Sequence, residues 1–445
     1  MKEHVKIRYT AIFSAILVLL LFSCSAFAFP PVKRSVLANG LTLLVVEEHS
    51  IPVVTMELLI NVGSKDDPRG KEGLAALTAS ALFRGAGVRN EKEISEELDF
   101  RGAEFAAQAG KDFTTLNLKV LRKDLESVFP LFVDIAAKPT FPEAEIKKEI
   151  AQTLAAIRSL EDQPGHVAER VFLKTLYGNG AYGHSVEGTK ESVEKIDRTA
   201  IEDFYRLDYG PDGSIFVVVG DIDEATVRNY LMPRIEEWKG SGVKGKATEV
   251  SYNRHGEKVV INKPVTQSNI VMGHGGVSRD NPDYYAIQVM NYILGGGGLT
   301  SRLSEEIRNK LGLAYDVGSF FDAGKMGGSF QIVLQTKNAS AKEAIDVAIR
   351  TIEEMKGKGV LEEELGKAKK YLLGSFPQKL STNSRMAAFY CQVEYFGLGA
   401  DYVERYRPLV ESVSAKDVLR VARAYLHPDA FVTIIVADKE KAGLK

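Results

Sequence analysis

The second half of this 445-residue chain repeats the first. "IPVVTMELLINVGSKDDPRG" is echoed by "KPVTQSNIVMGHGGVSRDNPDY", with Pro52 answering Pro264 at an offset of 212. "DLESVFPLFVDIAAKPTFPEAEIKKEIAQTL" is echoed by "AKEAIDVAIRTIEEMKGKGVLEEELGKAKKYL", with Glu145 answering Glu364 at an offset of 219. The closing strands match as well, "IFVVVGDIDEATV" against "FVTIIVADKEKA". Nearly equal offsets from separate stretches mark a duplicated domain, and a chain this long has outgrown a single core. The expected division is an export signal at 1–28, a first domain at 29–240, a linker at 241–262 and a second domain at 263–445. The linker reading rests on the Gly- and Lys-rich passage "WKGSGVKGKATEVSYNRHGEK".

Within the first repeat, "LTLLVVEE" and "VVTMELLINVG" are rich in β-branched residues and bounded by Asn-Gly and Gly-Ser turn signals, so they read as strands. Helical patterns follow at 71–84, 91–101, 122–136 and 142–160, then a strand in "GSIFVVVGDI" and a helix from Glu224. Hairpins mixed with helices favour an α+β fold, each domain a mostly antiparallel sheet covered by helices.

At the N-terminus, Lys2, Lys6 and Arg8 precede an apolar run from Ala11 to Phe22, and Ala26-Phe27-Ala28 gives the small-x-small pattern read by signal peptidase. The run is short for a membrane anchor. The expected location is the bacterial periplasm, with "LFSC" leaving open a lipoprotein linked through Cys24. Cleavage after Ala28 leaves one cysteine, Cys391, so no internal disulfide forms and Cys391 reads as a small buried hydrophobe. A net charge of −2 offers no electrostatic case for nucleic acid.

The common catalytic motifs are missing from this sequence. The seven histidines, His4, His49, His166, His184, His255, His274 and His427, include no pair at the i, i+3 or i, i+4 spacing that would place two metal ligands on one helix face. No G-x-S-x-G nucleophile elbow is present. The run Gly295 to Gly298 has no Gly-Lys-Ser/Thr ending, so it reads as backbone that bends tightly or lies close to another chain, not as a phosphate loop.

Together the duplication, the glycine run and the pieces "LANGLTLLVVEEHSIPVV", "GLAALTASALFRGAG", "FPEAEIKKEIAQTLAAIRSLEDQP", "AYGHSVEGTKESVEKI" and above all "GGGGLTSRLSEEIRNKLGLAYDVGSFF" resemble the pitrilysin/insulinase family of zinc peptidases. The likeness is to its short bacterial members and to mitochondrial processing peptidase subunits. It implies two homologous domains arranged as half of a clamshell-like chamber. Active members carry His-x-x-Glu-His where this chain has Ala76, Ala79 and Ser80, so both imidazoles and the base are gone. The family's distant Glu ligand falls on Glu149, which otherwise reads as a solvated helix residue beside Lys147 and Lys148. No metal or other cofactor is expected on this chain.

The resemblance also implies an Arg and a Tyr that reach substrate at the zinc site, here Arg308 and Tyr315; residues of a helix surface and of strand packing are the plain readings. It implies a peptide held as an added strand along "AEFAAQAGKDFTTLNLKV", where Ala106, Ala107 and Ala109 leave room for a backbone, with Gly296 and Gly297 alongside. The expected role is that of a non-zinc subunit lending Arg308 and Tyr315 to the zinc centre of a paralogous partner. An inactive structural or peptide-binding protein is the alternative.

Overall fold

The computed structural model describes residues 30–240 and 250–444. The expected signal with Cys24, and the expected linker from 241 to 249, lie outside the described residues. Strands of five or more residues are β1 (Val32–Val36), β2 (Thr42–Glu47), β3 (Val53–Ile60), β4 (Glu104–Ala109), β5 (Thr114–Leu121) and β6 (Ile215–Gly220), then β7 (Glu257–Asn262), β8 (Gln267–Gly275), β9 (Ala314–Ala323), β10 (Gly328–Lys337) and β11 (Val432–Ala437). Helices of eight or more residues in the first half are α1 (Leu74–Ala81), α2 (Glu91–Arg101), α3 (Leu125–Ala137), α4 (Glu143–Glu161), α5 (Pro164–Tyr177) and α6 (Arg198–Asp208). The second half adds α7 (Tyr284–Asn291), α8 (Ala341–Lys358), α9 (Glu362–Ser375), α10 (Asn383–Tyr395), α11 (Tyr402–Glu411) and α12 (Ala415–Tyr425).

The duplication is visible in the connectivity. The first sheet runs β1-β2-β6-β3-β5-β4 and the second β9-β10-β8-β11-β7. Read from β4 and from β9, the orders coincide strand for strand, and β1 alone has no counterpart. Each sheet is antiparallel except for one parallel pair, β2 with β6 and β11 with β7. The fold is therefore α+β with two like domains. Residues 257–262, read as the end of the linker, are instead β7, which pairs with β11 from Glu257 opposite Val432 to Asn262 opposite Ala437. Charged ends gave the stretch a linker's composition because it is an edge strand with one side open to water.

Both faces of each sheet are covered, by helices of different origin. One face of the first sheet, including Met56, Leu58 and Phe216, packs against helices of its own half, among them α1 and α3. Its other face, Leu44, Val46, Leu59, Val217 and Val219, is covered by α10 of the second half through Met386, Phe389, Tyr390 and Cys391. Reciprocally, Val271, Val432, Ile434 and Val436 of the second sheet are covered by Val167, Phe172, Leu173 and Leu176 of α5. Burial on both faces is why strands such as "IFVVV" are continuously apolar instead of alternating.

Local chemistry sets the start of α1. The carboxylate of Asp67 accepts the Gly73 and Ala75 amides, each at 2.7 Å, and so satisfies donors at the start of α1. Burial pushes the Asp67 carboxyl up to about 8 despite these two bonds. Gly73 has φ 101°, and a Cβ there would lie 2.6 Å from the Glu187 carbonyl oxygen, so only glycine fits. At α2, Asn90 and Glu93 exchange side-chain-to-amide bonds of 3.0 and 2.9 Å, a capping box, and Gly102 at φ 59° ends the helix.

Candidate functional site

Helix α1 carries Ala76, Ala79 and Ser80. Ala79 is buried in the first core, while Ala76 and Ser80 are half-buried and one turn apart. The Ser80 hydroxyl donates to the Ala76 carbonyl at 3.0 Å, a local bond within its own helix. Nothing on this face offers an imidazole or a carboxylate.

Glu149 is not solvated. It is 8% exposed, and its carboxylate meets Arg84 from Nε at 2.8 Å and Nη2 at 2.5 Å. The helical period separates it from its neighbours: Lys147 points to Glu143 and Lys148 to Glu145, while Glu149 faces inward. The Arg84 guanidinium also bonds Glu91 at the start of α2, so one cation ties the 3₁₀ turn that follows α1 to α2 and α4. Burial works against the charge of Arg84, and the facing carboxylates of Glu149 and Glu91 outweigh it, raising its pKa. The donor set of this site does not fit zinc, since it offers no imidazole and its carboxylates, Glu149 and Glu91, are both taken by the Arg84 guanidinium. Among the described residues no three His, Cys, Asp or Glu side chains gather into a metal-binding group.

The structure brings Arg308 and Tyr315 together. Arg308 lies on a wide π-helical turn, Ser304–Lys310, and its guanidinium carbon sits 4.7 Å from the centre of the Tyr315 ring. Tyr315 is the extra residue of a β-bulge: Ala314 faces Thr336 and Asp316 faces Gln335, leaving Tyr315 unopposed on edge strand β9. Bulges re-aim side chains, and Tyr315 is 79% exposed. The nearby acids are engaged elsewhere, Glu306 by Lys310 at 2.7 Å and Glu305 by Asn309 at 2.8 Å. Arg308 is half-buried, and among the described residues it has no ion-pair partner.

The glycine run serves the same strand. Gly295 lies against β9, where a Cβ would come within 2.4 Å of the Ser319 hydroxyl. A Cβ on Gly297 would press on the Tyr292 carbonyl at 2.7 Å, and Gly296 is exposed. The close approach at Gly295 is thus to the chain's own strand, while Gly296 and Gly297 lie against Asn291 and Tyr292 of the preceding helical turns. On the first sheet, Ala106, Ala107 and Ala109 lie on β4, the edge strand topologically equivalent to β9 and packed beside α1. Sequence reasoning passed over Arg84 and Asp67; the signal for Arg84 was its place one turn after Ser80, in reach of an acid on a facing helix.

Residues 43–190 match the family described as Insulinase (Peptidase family M16), and residues 195–372 match the Peptidase M16 inactive domain. The chain is 27% identical over 359 residues to an uncharacterized zinc protease, YmxG, of Bacillus subtilis, covering 80% of this chain and 86% of that one. It is 26% identical to an uncharacterized zinc protease of Streptomyces coelicolor over 92% of this chain and 90% of the relative. Among solved structures, a peptidase M16 inactive domain from Pseudomonas fluorescens superposes with a TM-score of 0.87 at 26% identity, covering 91% of this chain and 97% of that one. A protease from Helicobacter pylori, at 20% identity, shares the fold with a TM-score of 0.86 over 92% of this chain and 99% of its own. A duplicated α+β architecture whose two halves match two models of one family identifies the chain: it belongs to the M16, or insulinase, peptidases.

Proposed function

We propose that this protein is the non-catalytic subunit of a heteromeric zinc endopeptidase, exported to the bacterial periplasm, which completes the peptide-binding chamber of a paralogous zinc-binding partner. The observation that carries the reading is the pair of half-buried Arg308 and exposed Tyr315, in cation–π contact on a π-turn and a bulge, two irregularities that cluster at functional sites. A guanidinium and a phenol are both donors. Directed at a peptide carbonyl in the partner's centre, they hold the substrate and stabilise the negative charge that develops on its oxygen. Edge strand β4 offers main-chain groups to an extended peptide, and its alanines admit a backbone closely. The zinc belongs to the partner, and this chain alone hydrolyses nothing.

The test is reconstitution with a zinc-motif paralogue encoded by the same organism. The chain alone is expected to bind no stoichiometric zinc and to cleave no peptide. In the mixture, Arg308→Ala should lower kcat by about 100-fold, the scale of losing one oxyanion donor, and Tyr315→Phe should lower it in the same direction while assembly is unchanged by sedimentation. Full activity in both variants would replace this reading with that of a structural or peptide-binding member.

A further inference from the structure

A cavity of about 270 Å³ lies within the second domain between α7, α9, α10 and α11, remote in the fold from the Arg308–Tyr315 pair. Arg279, in the turn between β8 and α7, forms part of its wall and is 9% exposed. Its guanidinium carbon stacks 3.7 Å from the centre of the Tyr284 ring, and Nη2 donates to the Tyr402 hydroxyl at 2.9 Å. These partners are neutral, and among the described residues no Asp or Glu lines the cavity. A buried cation without a counter-ion is costly, and an aromatic face offsets only part of that cost.

Lys379 adds a second positive charge to the same wall. Burial and the neighbouring Arg279 hold its ammonium below the usual lysine range. An adjoining depression shares Lys379 and Phe389 and adds Arg385, whose guanidinium donates to the Gln378 carbonyl and the Ser381 hydroxyl, at 3.2 and 3.1 Å. It too has no carboxylate on its wall. Two cations thus line the cavity and a third, Arg385, lines the depression beside it, while Leu372, Phe389 and Tyr406 give the cavity an apolar and aromatic side and Gln288, Ser375 and Gln392 add neutral polar groups.

We infer that this cavity is a binding site for a small organic carboxylate. The carboxylate lies between Arg279 and Lys379, and an apolar body rests against Phe389 and Tyr406. The enclosed volume suits one small molecule and excludes an extended peptide. Arg279 is the fork that reads a planar carboxylate, and Lys379 supplies a point charge from the entrance. Because α10 lines the cavity and also covers the first sheet, occupancy stabilises the contact between the two domains.

The experiment is calorimetric titration and thermal melting of the full chain with benzoate, with benzamide as the neutral isostere and with inorganic phosphate. Benzoate should bind one per chain and raise Tm as its concentration passes Kd, while benzamide does neither. Lys379→Met, at the entrance, should weaken benzoate about tenfold, the loss of one charge-assisted bond, with an unchanged circular dichroism spectrum. Arg279→Gln should abolish binding, and if that variant does not fold Lys379→Met carries the test. Absence of benzoate binding, equal binding of benzoate and benzamide, an unaffected Lys379→Met, or binding of phosphate without benzoate would each overturn the inference.

Discussion

Glu149 shows how much one side chain's meaning depends on its neighbours. With Arg84 in place its buried carboxylate is paired from two nitrogens. Remove the guanidinium and a charge is stranded in the interior. Arg84→Met should therefore lower unfolding free energy by about 3 kcal/mol, measured by urea denaturation, and it should release α2 and α4 together. Glu57 poses the opposite problem. It is 7% exposed on β3, beneath α10, and burial pushes its carboxyl up to about 7, the Cys391 thiol offsetting part of the effect. Between the unfolded value near 4.5 and about 7, the folded chain holds a proton that the unfolded chain releases. Stability is thus fullest below that window, falls as pH rises through it and levels off above it, by about 3 kcal/mol in total. Asp67 contributes in the same direction. Glu57→Gln should flatten this slope and raise Tm at pH 8. At this scale motif register singled out Ala76, Ala79, Ser80, Arg308 and Tyr315, and the structure brings the last two into contact. Sequence reasoning misread Glu149, because the lysines flanking it in sequence point away from it in space.

The elements themselves were largely legible. The helix expected at 91–101 is Glu91–Arg101, bounded by the Asn90 capping box and Gly102, and the one expected at 142–160 is Glu143–Glu161. These rest on capping chemistry and periodicity, which act within a few residues. What each helix covers was not legible. An amphipathic pattern announces that a face is buried and is silent about the surface that buries it. So α5, continuous with first-domain sequence, lies on the second sheet, and α10 lies on the first. Phe172 on α5 is fully buried against that second sheet. Phe172→Ala should cost about 4 kcal/mol, and hydrogen exchange should show the faster amides in β8 and β11, far along the chain from the substitution. A rise confined to first-domain amides would contradict this packing. The bulge at Tyr315 was equally hidden, since one unpaired residue leaves no mark on a strand's composition.

At the scale of the whole molecule, the repeat offsets foretold two domains, and the matching strand orders bear out their common architecture. Independence is another matter. Each sheet is left with one apolar face bare unless the other half supplies its helix. Fragments 30–240 and 250–444, expressed separately, should therefore be poorly folded, with little protection from exchange. Mixed together, they should recover a cooperative melt. Two fragments that each melt cooperatively alone would show the crossed helices to be dispensable. The reciprocal placement of α5 and α10 has the form of a domain-swapped homodimer whose copies have been joined end to end. A single ancestral half of this shape is complete only as a pair, at a cost that rises with dilution. Joining the copies makes that pairing intramolecular and independent of concentration. It also frees the two copies to diverge, so that one half can keep a motif that the other has never had to share.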